Sequence, residues 1–447
     1  MTDNSFPELG LADPIQRALI ARNHVIPTPI QMRAIPELLA GRDMLGIAQT
    51  GTGKTAAFAL PILHQLSRKR GTNGPRSARA LVLAPTRELA IQIGEEFRAY
   101  GQHLPLRQTV IYGGVNQKSQ VAALSRGVDI VIATPGRLLD LMGQRRLGLE
   151  AVEFLVLDEA DRMLDMGFVR DVRKIVAAVP KTRQSLLFSA TMPREVARLS
   201  GEMLDDPIRV EVTPQATPIE HLEQSLYHVP AAGKSALLAN ILGDPALSRV
   251  IVFTRTKHRA NRVAAHLSKC GVAAEAIHGN KSQGARQHAL KQFRAGSARV
   301  LVATDIAARG IDVDGVSHVI NYELPNEPEG YVHRIGRTAR AGAGGVALSF
   351  CDPAERGYLR DIERLVRRPL TVIGEEPAAA ASDGRGKPRK ANGKSNGKPN
   401  GKFAGKPGGK PSGKPGGKPW RKRGGPRATA AVANDRPATG RRRRRAA

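Results

Sequence analysis

The stretch MLGIAQTGTGKTAAF, residues 44–58, decides the fold. Its first four residues suit a short buried strand, and the following glycines separate this strand from a stretch typical of a helix. Glycines at the start of a helix let backbone N–H groups surround phosphate oxygens, while a lysine neutralises their charge and a threonine reaches Mg²⁺. The predicted nucleotide contacts are Thr50, Gly51, Thr52, Gly53, Lys54 and Thr55.

Ala48 stands where the strict form of this loop has glycine, and a small side chain is expected to fit there. The alternative interpretation is a glycine-rich turn that precedes a helix by chance.

The rest of the chain repeats the pattern of strand and helix. From Met44 to Val212 short β-rich runs alternate with amphipathic helical stretches, and the alternation begins again after a charged, proline-containing stretch near 205–220. Such alternation is typical of α/β domains with parallel sheets. We predict a first domain at 1–210, a second at 218–376, and a separate tail at 377–447.

Composition excludes several classes of protein. The 447 residues are 41% hydrophobic, but the apolar runs are strand-length and the N-terminus lacks a basic and apolar leader. We therefore expect a cytoplasmic protein without membrane contact. Cys270 and Cys351 form no CxxC pair, so the sequence predicts two buried free thiols rather than a disulfide or a zinc site.

Positive charge is concentrated in the tail. The formal charge is +29, and residues 378–447 hold 21 Lys or Arg against two Asp, which leaves about +10 for the remainder. Lysine recurs at every fourth position from Lys394 to Lys418. Such a segment cannot bury a core, so we expect disorder and a polyanionic partner, with nucleic acid favoured.

The stretch FLVLDEADRM, residues 154–163, ends a predicted buried strand in three carboxylates. Beside a phosphate loop, Asp158 is expected to hold Mg²⁺ and Glu159 to polarise the attacking water. Thr55, Asp158 and Glu159 are therefore the predicted metal-binding residues. The alternative is a helix N-terminus that favours acidic residues.

Asp158-Glu159-Ala160-Asp161 resembles the motif that names the DEAD-box RNA helicases, whose other motifs follow in order across residues 6–342. This resemblance implies two tandem RecA-like domains that use ATP and Mg²⁺. IPTPIQ, residues 26–31, is similar to the Q motif, which implies that Gln31 reads adenine and that Phe6 is the upstream aromatic of the nucleotide site. Asn23 and His24 stand where the family usually has glycine and an aromatic residue.

The resemblance also assigns an RNA-binding set and a coupling set. Hydroxyl, guanidinium and backbone N–H groups bind phosphates without reading bases, although each motif alone is more often a turn or a helix cap. The implied RNA-binding residues are Pro85, Thr86, Arg87, Gly113, Gly114, Thr134, Pro135, Gly136, Arg137, Arg255, Thr304 and Gly310, with Gln283 and Arg286 on the RNA and interdomain side. Ser189 and Thr191 are implied to couple hydrolysis to strand separation through Asp161.

The second domain resembles the half of the family site that completes catalysis. The resemblance implies that Asp312 faces the ATP ribose and that His333 lies near the catalytic water. It also implies that Arg337 and Arg340 contact the phosphates as arginine fingers. Ala339 stands where the family usually has glycine. The three arginines at a spacing of three, Arg334, Arg337 and Arg340, are costly to bury together unless a polyphosphate supplied by another surface meets them. The alternative is a solvated basic helix face.

The predicted function is an ATP-dependent RNA helicase that separates short duplexes locally or remodels RNA–protein complexes. Within the family, the compact core and basic tail look most similar to the bacterial RhlE type, and ribosomal or RNA-decay assemblies are possible partners. Two alternatives stay open: a related superfamily 2 motor that acts on DNA, and an RNA chaperone that anneals strands through its basic tail and uses ATP as a clamp.

Overall fold

The computed structural model describes residues 5–49, 51–69, 74–212, 222–308, 311, 313, 315–338 and 344–374. All of them belong to one compact unit. Five predictions fall outside these ranges: those for Thr50, Gly310, Asp312 and Arg340, and that for the tail at 377–447.

A parallel sheet forms the centre of the first domain. Its strands are β1 Met44–Ile47, β2 Ala80–Leu83, β3 Gln108–Ile111, β4 Ile130–Ala133, β5 Phe154–Leu157, β6 Gln184–Ser189 and β7 Ile208–Glu211, in the order β3-β4-β2-β5-β6-β1-β7. Strands β2, β4 and β5 are buried along their whole length. Helices cover both faces, as strands that are continuously apolar require.

The covering helices build two hydrophobic cores. One core packs α1 Asp13–Ala21, α2 Pro29–Leu39, α3 Lys54–Arg68 and α4 Arg87–Tyr100 on one face of the sheet. The other face is covered by α5 Lys118–Ser125, α6 Pro135–Gly143, α7 Ala160–Asp165, α8 Val169–Ala178 and α9 Arg194–Met203. A short 3₁₀ helix, Phe6–Leu9, precedes α1.

The second domain repeats this architecture. Its strands are β8 Leu222–His228, β9 Val250–Phe253, β10 Ala274–Ile277, β11 Val300–Ala303, β12 His318–Asn321, β13 Gly345–Cys351 and β14 Thr371–Val372, in the order β10-β11-β9-β12-β13-β8-β14. The helices are α10 Lys234–Ile241, α11 Lys257–Lys269, α12 Gln283–Arg294, α13 Asp305–Ala308, α14 Pro328–Ile335 and α15 Arg356–Val366, and a 3₁₀ helix spans Pro353–Glu355. The predicted α/β fold with parallel sheets is confirmed.

Strand order brings the motifs together. In the first sheet β5, β6 and β1 are neighbours, so Asp158 directly after β5, Ser189 at the end of β6 and Lys54 at the start of α3 all lie at the same edge of the sheet. In the second sheet β11, β9 and β12 are neighbours, which places Thr304 and Arg255 at the equivalent edge. Carboxyl ends of parallel strands are where open α/β sheets bind ligands.

The two cysteines differ in environment. Cys351 ends β13 and is buried, and burial raises the pKa of its thiol to about 11. Cys270 is exposed because it follows the last residue of α11 at the helix C-terminus. The prediction of two buried thiols is therefore wrong for Cys270. Within the ranges given above, each helix is too short or too polar to cross a lipid bilayer.

Candidate functional site

The glycine-rich loop after β1 has the geometry of a phosphate cradle. Gly53 has a φ of +90° and caps α3, whose first residue is Lys54. The Lys54 ammonium is buried and donates to the Ala48 carbonyl at 2.8 Å. Backbone N–H groups at this helix N-terminus suit phosphate oxygens, so the residues present fit a nucleoside triphosphate. Ala48 is itself buried and fits at its position.

Gln31 is joined directly to this loop. Its amide Nε2 donates to the Gly53 carbonyl at 3.1 Å, and its Oε1 accepts from the Thr28 backbone N–H at 2.9 Å. A side-chain carbon added at Gly53 would overlap Gln31 Nε2, so glycine is required there. The predicted adenine reader thus lies against the predicted phosphate loop.

Of the two substituted residues in the Q-motif region, His24 lines the same cleft as Gln31 and Lys54. Asn23 has a φ of +56°, a conformation that glycine adopts most readily. The His24 ring lies edge-on to Tyr100 at a centroid distance of 5.9 Å, and Arg22 Nε donates to His24 Nε2 at 3.4 Å. Burial and the Arg22 charge lower the pKa of His24. Phe6 packs in the hydrophobic core, and its nucleotide contact stays a prediction.

The carboxylates after β5 complete the cleft of the first domain. Burial raises the pKa of Asp158, against the opposing charge of Lys54. Glu159 has a φ of +53° and pairs with Arg162 Nη1 at 2.9 Å. The cleft has a volume of about 600 Å³ and is lined by Gln31, Lys54, Thr55, Asp158, Glu159 and, from the second domain, Arg249 and Arg294. Two carboxylates and a hydroxyl are hard oxygen donors, so this set fits Mg²⁺.

Asp161 connects the carboxylate loop to the loop after β6. Its Oδ2 accepts from the Thr191 backbone N–H at 3.0 Å and from Thr191 Oγ1 at 2.9 Å. The Asp161 N–H donates to Ser189 Oγ at 3.2 Å, and Ser189 Oγ donates to the Thr191 carbonyl at 2.8 Å. The three residues of the predicted coupling set are therefore in direct contact.

The predicted RNA-binding residues of the first domain meet around one loop. A side-chain carbon added at Gly114, where φ is +78°, would overlap the Arg87 guanidinium. Arg137 donates from both terminal nitrogens to the Val115 carbonyl at 3.4 Å. Two guanidinium groups thus flank residues 113–115. The remaining members lie at helix starts. Pro85 and Thr86 directly precede α4, Thr134 precedes α6, and Pro135 and Gly136 are the first two residues of α6.

The second domain has a smaller cavity of about 210 Å³, whose lining includes Arg255, Asp305, His333 and Arg337. Arg255 is predicted to contact RNA, whereas His333 and Arg337 are predicted to face the nucleotide. Arg337 is buried and donates from Nη1 to the Ile311 carbonyl at 3.0 Å. Thr304 lies between β11 and α13.

Arg334 does not need a polyphosphate to neutralise it, so that prediction is wrong for this member of the three arginines. Its guanidinium is 1% exposed and forms a bidentate pair with Asp305, with Nη2 and Oδ2 2.8 Å apart. It also donates to Asn321 Oδ1 at 3.1 Å and lies over the Phe253 ring. Arg334 is therefore neutralised by the fold itself.

Sequence reasoning missed Glu88, which lies within PTRELA beside the residues that it named. Glu88 is 3% exposed and accepts from Gln283 Nε2 at 2.9 Å and from Arg286 Nε at 3.0 Å. This contact joins α4 of the first domain to α12 of the second. A carboxylate in the first turn of a helix also suits the macrodipole, so the sequence alone offered no reason to expect a partner.

Two parallel-sheet domains, with a phosphate loop on one and buried arginines on the other, define a RecA-like nucleotide-hydrolysing motor. Two family models match the chain: DEAD/DEAH box helicase over residues 28–199 and Helicase conserved C-terminal domain over residues 233–342. The chain is 44% identical over 381 residues to the DEAD-box ATP-dependent RNA helicase CshA of Bacillus cereus, covering 85% of this chain and 72% of that protein. It is 41% identical over 383 residues to CshA of Bacillus subtilis, covering 85% and 76%. This chain belongs to the DEAD-box family of ATP-dependent RNA helicases.

Solved structures agree on the architecture. The chain is similar to Saccharomyces cerevisiae Dbp5 bound to RNA and ADP BeF3, with a TM-score of 0.71, 32% identity and coverage of 83% of this chain and 95% of Dbp5. It is also similar to Mss116p bound to ssRNA and AMP-PNP, with a TM-score of 0.72, 27% identity and coverage of 83% and 79%. The predicted pair of RecA-like domains is confirmed.

Proposed function

We propose that this helicase assembles its active site from two incomplete halves when ATP and RNA bind together. The observation that carries this proposal is the division of the chemistry: Lys54, Asp158 and Glu159 lie on the first domain, whereas His333 and Arg337 lie on the second. Closure that completes a catalytic site restricts turnover to the state in which both ligands are bound.

The nucleotide half-site has a role for each side chain. Gln31 reads the adenine edge, Lys54 neutralises the β- and γ-phosphate oxygens, and Glu159 orients the attacking water. Bound Mg²⁺, held by Thr55 and Asp158, would offset charge that develops on the phosphates. Arg337, with Arg340 outside the described ranges, supplies positive charge from the second domain.

RNA binds across both domains through its backbone. Arg87 and Arg137 flank the loop at 113–115 and suit phosphate oxygens, and Arg255 extends the path on the second domain. Contacts of this kind carry little sequence information, so we expect activity on many RNAs. Because this path fits only a bent single strand, a duplex bound there loses its second strand. Strand separation is therefore local and does not need translocation along the RNA.

Coupling between the two ligands runs through Asp161. Its hydrogen bonds to Ser189 and Thr191 join the carboxylate loop after β5 to the loop after β6. A movement of one loop therefore displaces the other. Asp161 therefore relates the state of the nucleotide to the position of the RNA-binding loops.

The finer assignments are proposals of the same kind. The compact core and the basic tail together favour the RhlE type. We also propose a cytoplasmic location, and the charge of the tail favours a partner rich in RNA, such as a ribosomal or RNA-decay assembly. The same tail favours a second activity, ATP-independent annealing of RNA strands, because a polycation screens the repulsion between two polyanions. Annealing that disappears with the tail would support this second function.

The deciding experiment compares steady-state ATP hydrolysis with single-stranded RNA, with equal single-stranded DNA and with neither. We expect stimulation by RNA alone, and a loss of about 100-fold or more in Glu159→Gln, which retains the shape of the side chain but not its charge. Glu195→Gln, an exposed change on α9 of the same domain, is the control and should retain full activity. Turnover that is absent, or equal with and without RNA, would reject the proposal.

A further inference from the structure

Lys234 is a buried cation outside every motif considered so far. It begins α10 and is 2% exposed, and its ammonium contacts the Glu355 carboxylate and lies 3.2 Å from Asp352 Oδ2. Burying a lysine is costly unless its charge has a specific partner. Lys234 follows β8 and lies at the carboxyl edge of the second sheet, close to the predicted RNA path. This position suits a role in RNA binding.

Glu355 joins this lysine to Arg255. Glu355 is 1% exposed, and its Oε1 lies 3.1 Å from Arg255 Nη2 and accepts from the Leu324 backbone N–H at 3.2 Å. The Arg255 backbone N–H donates to Glu323 Oε2 at 2.8 Å, which fixes the start of the loop after β9. Glu355 therefore fixes the buried side of the Arg255 guanidinium, while 28% of the Arg255 side chain is exposed to solvent.

The charges around Arg255 are balanced by Lys234. Arg255 faces two carboxylates, and Arg259 Nε lies 3.4 Å from Glu323 Oε1, which offsets one of them. Lys234 offsets the charge shared by Glu355 and Asp352. Without Lys234 the carboxylates would outnumber the cations, and a nearby phosphate would meet a negative potential at low dielectric.

We propose that Lys234 is a positioning residue that keeps Arg255 competent to bind an RNA phosphate. Lys234 neutralises Glu355, so that Glu355 orients the Arg255 guanidinium without cancelling its charge. The inference rests on the proposed function, because it assigns the phosphate contact of Arg255 to RNA. It predicts that a side chain with no RNA contact of its own sets the affinity for RNA.

The test measures the RNA concentration that gives half-maximal ATPase stimulation, using the full chain and a single-stranded oligonucleotide. Lys234→Met should raise this concentration about fivefold, while kcat at saturating RNA and KM for ATP stay within about twofold. Lys234→Met/Glu355→Gln removes both charges and should restore near-normal RNA affinity, since the remaining carboxylates, Glu323 and Asp352, then equal Arg255 and Arg259 in number. Thermal melting reports whether each variant is folded.

A double-mutant cycle separates this role from general stability. In an Arg255→Gln background, the Lys234 substitution should produce no further loss of RNA affinity, because the side chain that it supports is gone. Arg79→Met removes another buried ion pair, with Glu153, and should lower Tm without changing RNA affinity. Equal losses with and without Arg255, or no recovery in the charge-balanced pair, would overturn the inference. Wild-type turnover that ignores RNA would instead reject the proposed function.

Discussion

At the scale of single residues, Gly53 has the tightest constraint in the nucleotide cleft. Its φ is +90°, and an added side chain would overlap Gln31 Nε2. We predict that Gly53→Ala weakens ATP binding at least about tenfold, because the left-handed backbone costs alanine about 1–2 kcal/mol and the Gln31 amide must move. Titration of a fluorescent ATP analogue, with a melting curve beside it, measures this change.

Gly143→Ala is the matched control. Gly143 ends α6, is exposed, and has open space where a side chain would be added. The same chemical change there should leave nucleotide affinity unaltered. If Gly53→Ala binds ATP as well as the wild type does, the cradle is not formed by this turn.

A second residue-level prediction concerns coupling. Thr191→Val keeps the side-chain shape but removes the Oγ1 hydrogen bond to Asp161. We expect RNA-stimulated ATP hydrolysis to fall less than about threefold and duplex separation to fall about tenfold, since one hydrogen bond to a charged group contributes roughly 1.5–3 kcal/mol. Parallel ATPase and strand-displacement assays distinguish the two rates. A proportional loss of both would assign Thr191 to the hydrolytic step instead.

The motifs predicted side chains that the structure brings together in one cleft, but not all of their partners. Lys54, Asp158 and Glu159 lie in one cleft as their spacing indicated. The partners of Glu88 and Arg334 were missed because each pairs with a residue on another strand loop or domain, and no local pattern encodes such a contact. Arg334 shows why charge spacing alone misleads: Asp305, 29 positions earlier, neutralises it.

At the scale of elements, the alternating pattern predicted parallel α/β domains and most strand positions. It could not give the strand order, because the order depends on which apolar faces pack together rather than on any one strand. The order β5-β6-β1 has a functional consequence, since it puts Asp161 within reach of Thr191. The boundary between strand and loop then decides which side chain of a motif faces the cleft.

The contact between α4 and α12 leads to an element-level prediction. Glu88 is buried against Gln283 and Arg286, so the contact between the two helices removes these groups from water together. We predict that Arg286→Gln lowers the RNA-stimulated ATPase rate about tenfold or more, because it leaves a carboxylate buried with reduced compensation. The affinity for ATP in the absence of RNA, which depends on the first domain, should change little.

Lys291→Gln provides the control on the same helix. Lys291 is exposed on α12, so its substitution removes the same charge without touching the contact with α4. Its ATPase rate should match that of the wild type. Equal losses in the two variants would mean that the charge of α12, rather than its pairing with Glu88, supports the reaction.

At the scale of the whole molecule, positive charge is distributed unevenly along the chain. Residues 378–447 hold 21 Lys or Arg against two Asp, whereas residues 1–377 carry about +10 over a much longer stretch. Residues 1–377 also contain every described residue of the nucleotide cleft and of the proposed RNA path. A tail that acts as a tether should therefore change RNA affinity without changing the chemistry.

Removing residues 378–447 is the prediction that tests this division. We expect RNA affinity to fall, and the dependence of log affinity on log salt to flatten by about 0.7 for each phosphate that the tail neutralises. ATP hydrolysis at saturating RNA should be preserved, since the residues that line the cleft lie between Arg22 and Val313. Replacing the seven lysines from Lys394 to Lys418 by glutamine keeps the chain length. If each lysine neutralises one phosphate, this variant should reduce the slope of log affinity against log salt by up to about 5. A salt slope that stays the same in both variants would mean that the folded domains bind RNA without the tail, and that its lysines serve another partner.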